Sequence, residues 1–252
     1  MTAEPILEIR NLAKSFSGIR ALDGVSFRVA PGEVLGIIGP NGSGKTTLIN
    51  CIAGFLKPTG GSILFRGREI GGMPPQRVAD MGIARTFQIM RPFQSLTVRQ
   101  NLVIPLYSPR ARRGGGRHGD RDTISLDILE ELGFERESRV PQQLAGTLPT
   151  GYLKRLELGR CIALRPEVIL CDEVFSGLSV SETTSLVPLV RGLREQGITL
   201  IMIEHRLREL FELADRVAVL SQGKKIAEDD PERLMEDPAV REAYLGSEER
   251  SA

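Results

Sequence analysis

The sequence predicts an α/β fold in which a mostly parallel sheet follows an antiparallel β section and is interrupted by a helical insertion. Short apolar runs at residues 34–38, 168–171, 198–203 and 217–220 alternate with helix-period stretches such as 182–195 and 207–214. That alternation requires crossover connections between parallel strands covered on both faces. The segment from about 89 to 165 lacks such runs and reads as helical, so it is expected to be a separate insertion. The expected organisation is one domain over 1–252, with a core of 1–88 and 166–252 and an inserted helical part at 89–165.

Taken in order, residues 6–65 are strand-rich, and Val25, Phe27 and Val29 alternate with polar neighbours as in a half-buried antiparallel strand. The run 34–38 is continuous rather than alternating, and a helix over 46–53 is expected after it. Within the insertion, one helix is predicted over 123–132, closed by Gly133 in a left-handed cap. A second is predicted over 152–164, stopped by Arg165 and Pro166. Residues 108–122 are rich in Gly and Arg and read as a solvated loop. Its arginines (Arg110, Arg112, Arg113, Arg117, Arg121) offer contact with anionic head groups as the alternative.

The 252 residues are 41% hydrophobic and 26% charged, which suits a chain that buries a sizeable core. A net charge of +1 argues against nucleic acid as a partner. The three cysteines, Cys51, Cys161 and Cys171, are widely spaced in apolar runs, as expected of reduced buried thiols in the cytoplasm. The first ten residues do not resemble a signal peptide, and no window reaches the ~20 apolar residues needed to cross a bilayer. Any membrane role is therefore expected to come through another chain.

Gly39, Pro40, Asn41, Gly42, Ser43, Gly44, Lys45 and Thr46 fit the pattern G-x-x-x-x-G-K-[ST], directly after the apolar run. Glycines let backbone N–H groups turn toward phosphate oxygens, and the helix that follows adds positive partial charge. Lys45 is expected to reach the β- and γ-phosphates and the Thr46 hydroxyl to ligate Mg²⁺, which marks a nucleoside triphosphate site. The run 168–171 ends in Asp172 and Glu173, two carboxylates at the edge where ligands bind in such sheets. Asp172 suits the metal and Glu173 the activation of water. His205 follows another run and is placed at the same edge, while His118 reads as solvated.

This order of elements resembles the ATP-binding cassette family over nearly the whole chain. The resemblance rests on the phosphate loop, Gln88 after Thr86 and Phe87, and the segment Leu148, Pro149, Thr150, Gly151 and Tyr152. It continues through Asp172, Glu173, the loop at 176–179 and His205. It implies a P-loop NTPase (RecA-like) core, ATP and Mg²⁺ as ligands, Thr47 in the nucleotide site, and Phe16 stacked on adenine. It also implies that Gln88 touches the metal and the attacking water, and that two cassettes close head to tail over ATP. Each ATP would then lie between one phosphate loop and the opposite signature segment, at the cytoplasmic face of a membrane permease. Within the family the closer likeness is to branched-chain amino acid transporter ATPases, through residues 39–50, 82–88, 203–205 and 239–246. That subfamily implies import and an extracytoplasmic solute-binding protein. Urea-uptake and lipopolysaccharide-export ATPases share much of this pattern. Cassettes that act on nucleic acid usually carry coiled coils, zinc modules or a second cassette, none of which the sequence shows.

The signature departs from the usual Leu-Ser-Gly-Gly-Gln. Pro149 has neither hydroxyl nor N–H, Tyr152 replaces Gln, and Ser179 replaces the aspartate that often closes the 176–179 loop. Proline is tolerated in the first turn of a helix, so the helix is expected to form with Thr150 offering the hydroxyl. Either backbone N–H groups and Thr150 suffice for the signature, or this cassette pairs with an unlike one; the branched-chain resemblance implies two unlike ATPase subunits, with a homodimer as the alternative.

Overall fold

The computed structural model describes residues 4–87, 92–113, 120–234, 236–237 and 240. Among the described residues the strands form two sheets. The first runs in the order β2 (Ile19–Val29), β1 (Leu7–Phe16), β4 (Gly60–Phe65) and β5 (Arg68–Glu69), all antiparallel. Leu7 faces Val29 and Ile9 faces Phe27 across β1 and β2. The second sheet runs β10 (Lys224–Asp229), β9 (Arg216–Ser221), β3 (Val34–Ile38), β8 (Thr199–Ile203), β7 (Val168–Asp172) and β6 (Ile83–Arg85). It is parallel except for β10.

The continuous apolar runs are explained by which core each residue enters. Leu35 and Ile37 of β3 join the core containing β1, β2, β4 and the helix α1 (Lys45–Ile52), whereas Val34 and Ile38 join the core beneath the other helices. Strands β7, β8 and β9 divide the same way: Leu170, Ile201 and Ala218 point to the first core, and Ile169, Met202 and Val217 to the second. Side chains alternate across a strand, so a strand covered on both faces must be apolar at every position.

The remaining helices are α2 (Pro75–Met81), α3 (Val98–Val103), α4 (Pro109–Arg113), α5 (Arg121–Glu131), α6 (Thr150–Ala163), α7 (Val180–Glu195), α8 (Leu207–Leu213) and α9 (Pro231–Leu234). Helices α3, α5 and α6 pack on one another through Leu102, Ile128, Leu129 and Leu158. Thr97 and Ser179 cap α3 and α7 in capping boxes closed by Gln100 and Glu182, and Asp120 caps α5. These caps start α5 and α7 two residues earlier than the apolar pattern suggested. Gly133 takes the expected left-handed conformation, with φ at 75°.

Three details differ from the sequence expectation. Pro149 is the N-cap of α6, with extended backbone, rather than a residue of its first turn. Strands β6 and β10 were not foreseen, since one is too short to show a pattern and the other is a half-exposed edge. Residues 109–113 are helical, and Arg110 is not free to meet lipid. Its guanidinium donates to the carbonyls of Arg165 (2.7 Å) and Met81 (2.9 Å) and to Glu167 (2.9 Å). Residues 114–119 lie outside the described residues, and with them Arg117 and His118. The three thiols are free and buried, as expected.

Asn101 in α3 is fully buried and holds the chain before its helix. Its Nδ2 donates to the carbonyls of Phe93 (3.1 Å) and Thr97 (3.0 Å), and its Oδ1 accepts the Phe93 N–H at 2.8 Å. Asn101→Ala strands these backbone groups, so urea unfolding should show a loss of about 2–4 kcal/mol.

Candidate nucleotide site

The phosphate loop lies between the end of β3 and the start of α1, and the neighbouring backbone is pressed against it. Gly39 has φ at 149°, and a Cβ on it would lie 2.0 Å from the Leu220 carbonyl oxygen, so only glycine fits. The Ser43 carbonyl accepts the Gly223 N–H at 3.0 Å, which ties the loop to the turn between β9 and β10. Lys45 is 7% exposed, and its ammonium donates back to the carbonyls of Gly39 (2.7 Å) and Pro40 (3.0 Å). Burial lowers its pKa, while the negative charges of Glu173 and Asp172 act in the opposite direction. Ser43 Oγ is buried without a hydrogen-bond partner, a position that a phosphate oxygen would satisfy. Thr46 is exposed and Thr47 partly so, at the mouth of the loop.

Strands β7 and β8 bring the acidic pair and the histidine to the same edge. The Asp172 N–H donates to Thr86 Oγ1 at 3.0 Å, and its buried carboxylate accepts Arg85 Nη2 at 2.8 Å. Arg85 Nη1 also donates to Asn50 Oδ1 of α1, at 2.6 Å. Its guanidinium lies beside the rings of Phe55 and Phe87, with Cζ 5.4 and 5.2 Å from their centroids. Glu173 has φ at 53°, a left-handed backbone held by its N–H to Ile203 O (2.9 Å) and by Lys154 Nζ on its own carbonyl (2.8 Å). His205 Nε2 stands 3.2 Å from Glu173 Oε1.

Four charged residues of this region were not anticipated. Lys154 and Glu157 are buried in α6, where Lys154 anchors Glu173 and Glu157 accepts the Phe87 N–H at 2.7 Å. Their signal was present in the sequence: Gly151, Lys154, Leu158 and Cys161 form one buried helical stripe, and a lysine within it needs a partner. Arg85 ends the otherwise apolar strand β6. Glu204 is 2% exposed, and its carboxylate accepts the N–H groups of Phe175 (3.1 Å) and Val174.

The signature segment stands at the start of α6. Pro149 and Thr150 are exposed, Leu148 is buried, and the Tyr152 ring meets Phe134 edge to face at 5.3 Å. The Glu182 carboxylate lies against the Gly151 backbone. A Cβ on Gly151 would fall 2.5 Å from Glu182 Oε1, so the α7 cap packs directly against this turn. Phe16 is half-exposed at the end of β1, with the Lys14 ammonium 4.8 Å from its ring. Gln88 lies outside the described residues.

A glycine-rich phosphate loop facing an acidic strand end, in a chain that also carries a helical signature segment, defines an ATP-hydrolysing cassette. The family described as ABC transporter matches residues 22–176, and the chain belongs to it. A second description, Branched-chain amino acid ATP-binding cassette transporter, matches residues 224–250. The high-affinity branched-chain amino acid transport ATP-binding protein BraF of Pseudomonas aeruginosa is 36% identical over 255 residues, covering 97% of this chain and 99% of BraF. LivG of Escherichia coli K12, described in the same words, is 36% identical over 258 residues, covering 97% of this chain and 99% of LivG. An ATP-binding cassette of an ABC transporter solved in its ADP conformation has a TM-score of 0.84 and 36% identity, covering 97% of this chain and 100% of that one. Among the described residues no helix is long and apolar enough to cross a membrane.

Burial pushes the Glu204 carboxyl up to about 7 from an ordinary 4.5, against the opposing pull of two backbone N–H groups and Lys154. The folded protein therefore holds a proton that the unfolded chain releases, so this residue's contribution is full below pH ~4.5 and is lost as pH rises through 7. Glu204→Gln should raise stability by roughly 1–3 kcal/mol at pH 8 and by much less at pH 5, read from urea midpoints at each pH.

Proposed function

We propose that this chain powers import of branched-chain or related amino acids, working beside an unlike cassette on the cytoplasmic face of a membrane permease. The observation that carries the ATPase chemistry is the convergence of Lys45, Asp172, Glu173 and His205 on one sheet edge. The amino-acid cargo is supported by the likeness to the branched-chain amino acid transport proteins BraF and LivG and by the match at 224–250. An extracytoplasmic solute-binding protein belongs to the same reading.

In this reading the backbone of residues 39–47 wraps the phosphates, and Ser43 Oγ gains the partner it lacks. Lys45 exchanges the Gly39 and Pro40 carbonyls for phosphate oxygens. The Thr46 hydroxyl and the Asp172 carboxylate are hard oxygen donors of the kind Mg²⁺ takes, with Gln88 as a third candidate. Bound Mg²⁺ would neutralise charge on the transferring phosphoryl group. Glu173 orients and deprotonates the attacking water, His205 holds its carboxylate, and Phe16 stacks on the adenine. Residues 89–165 form the module facing the permease.

An unlike partner is supported by the signature segment. Pro149 offers neither hydroxyl nor N–H, which leaves the Thr150 hydroxyl and the backbone N–H groups of the first turn of α6 to reach ATP across the interface.

Glu173→Gln should lower ATP turnover by roughly 10²–10⁴-fold while leaving binding of a fluorescent ATP analogue intact. Unchanged turnover in that variant removes Glu173 from the mechanism. Thr150→Ala should lower turnover of the assembled complex with the cassette's own fold unchanged by circular dichroism; equal turnover would assign the contact to backbone alone. For the cargo, vesicles carrying the assembled transporter should accumulate labelled leucine only with ATP inside, and failure with every branched-chain amino acid would discard that substrate class.

A further inference from the structure

The Asp172 side chain is 2% exposed, and an ionised carboxylate at that depth is strongly unfavourable without a counter-charge. Arg85 supplies it at 2.8 Å, and the guanidinium is held from several directions. Asn50 takes its second nitrogen at 2.6 Å, and the rings of Phe55 and Phe87 lie together on one side of it. The rings themselves meet edge to face at 5.7 Å, and the Phe87 N–H is tied to Glu157 of α6. An arginine fixed in this way is a resident cation on the carboxylate to which the proposed function assigns the metal. One carboxylate then serves two cations. The nearer and less mobile the arginine, the less negative potential remains for the ion arriving with nucleotide.

We propose that Arg85 is a positioning residue which holds the Asp172 carboxylate aimed in the metal-free protein and, by competing for the same carboxylate, sets how tightly the site takes Mg²⁺. The proposal rests on the reading of Asp172 as a metal residue. It assigns Arg85 a role that differs from mere packing, because packing is indifferent to the charge of its neighbour.

The test uses the full chain and follows melting temperature with ADP, in EDTA and across a Mg²⁺ titration. Arg85→Met retains apolar bulk beside the two rings and removes the charge. Its melting temperature in EDTA should fall by roughly 6–12 °C, the loss expected for an unpaired buried carboxylate in a chain of this size. The Mg²⁺ concentration giving half of the ADP-dependent rise should fall about tenfold, since the competing cation is gone. ADP affinity measured in EDTA should stay within about twofold of the unaltered protein. Arg85→Lys keeps a charge and should hold the Mg²⁺ midpoint within about threefold. Combining Arg85→Met with Asp172→Asn removes both charges and should restore most of the lost melting temperature.

A Mg²⁺ midpoint in Arg85→Met within about twofold of the unaltered protein overturns the proposal. So does a double variant as unstable as the single one, which would leave Arg85 with packing alone. Should Arg85→Met fail to fold, a folded double variant gives the expected counter-ion signature and an unfolded one overturns it. If the unaltered protein itself shows no Mg²⁺-dependent rise with ADP, the metal assignment of Asp172 fails and takes this proposal with it. That failure is distinguishable because it needs no variant to be seen.

Discussion

The structure depends on the burial of β3, β7 and β8 on both faces at once. Each of these strands sends alternate side chains into two different cores, so a charged residue within the strand would have to be buried on one side or the other. Polar chemistry is thereby displaced to the ends of the strands. Because the strands are parallel, their ends meet along one edge, and Gly39, Asp172, Glu173, Glu204 and His205 are gathered there from segments far apart in sequence. The site is a consequence of what the interior of the sheet excludes.

Helix α6 is joined to that edge by charges buried at some cost. Lys154 reaches the carbonyl of Glu173, and Glu157 reaches the N–H of Phe87. A neutral helix could pack against the same core through Leu156 and Leu158 alone. The charged bonds make its position relative to residues 87 and 173 specific, because sliding the helix would leave a buried lysine and a buried carboxylate unsatisfied, at about 1–3 kcal/mol or more apiece. The turn that begins this helix carries Thr150 and Gly151. The turn at Thr150 and the backbone of Glu173 are thus two ends of one rigid connection.

How much was legible in the sequence follows from which interactions are local. The phosphate loop and the acidic pair could be read because their residue types stand next to the apolar run that positions them, as at Gly39 after Ile38 and Asp172 after Cys171. The starts of α5 and α7 were missed by two residues because Asp120 and Ser179 act through caps rather than through periodicity. Arg85, Glu157 and Glu204 could not be read, since their partners Asp172, Phe87 and Phe175 lie 87, 70 and 29 residues away. Contacts at such separations leave no local pattern. Only the misfit of a charge inside an apolar stripe, as at Lys154, points to them.

Cys51, Cys161 and Cys171 sit in these same two cores, where burial pushes their thiols up, that of Cys51 to about 11. At neutral pH such groups carry almost no thiolate and stay out of reach of alkylating reagents while the chain is folded. The native protein is therefore a silent background for labelling. A single cysteine introduced at the exposed mouth of the phosphate loop or at the exposed start of α6 would report alone on its surroundings. A crosslink between such cysteines on two cassettes would show which copies meet, and a native thiol that began to react would signal unfolding.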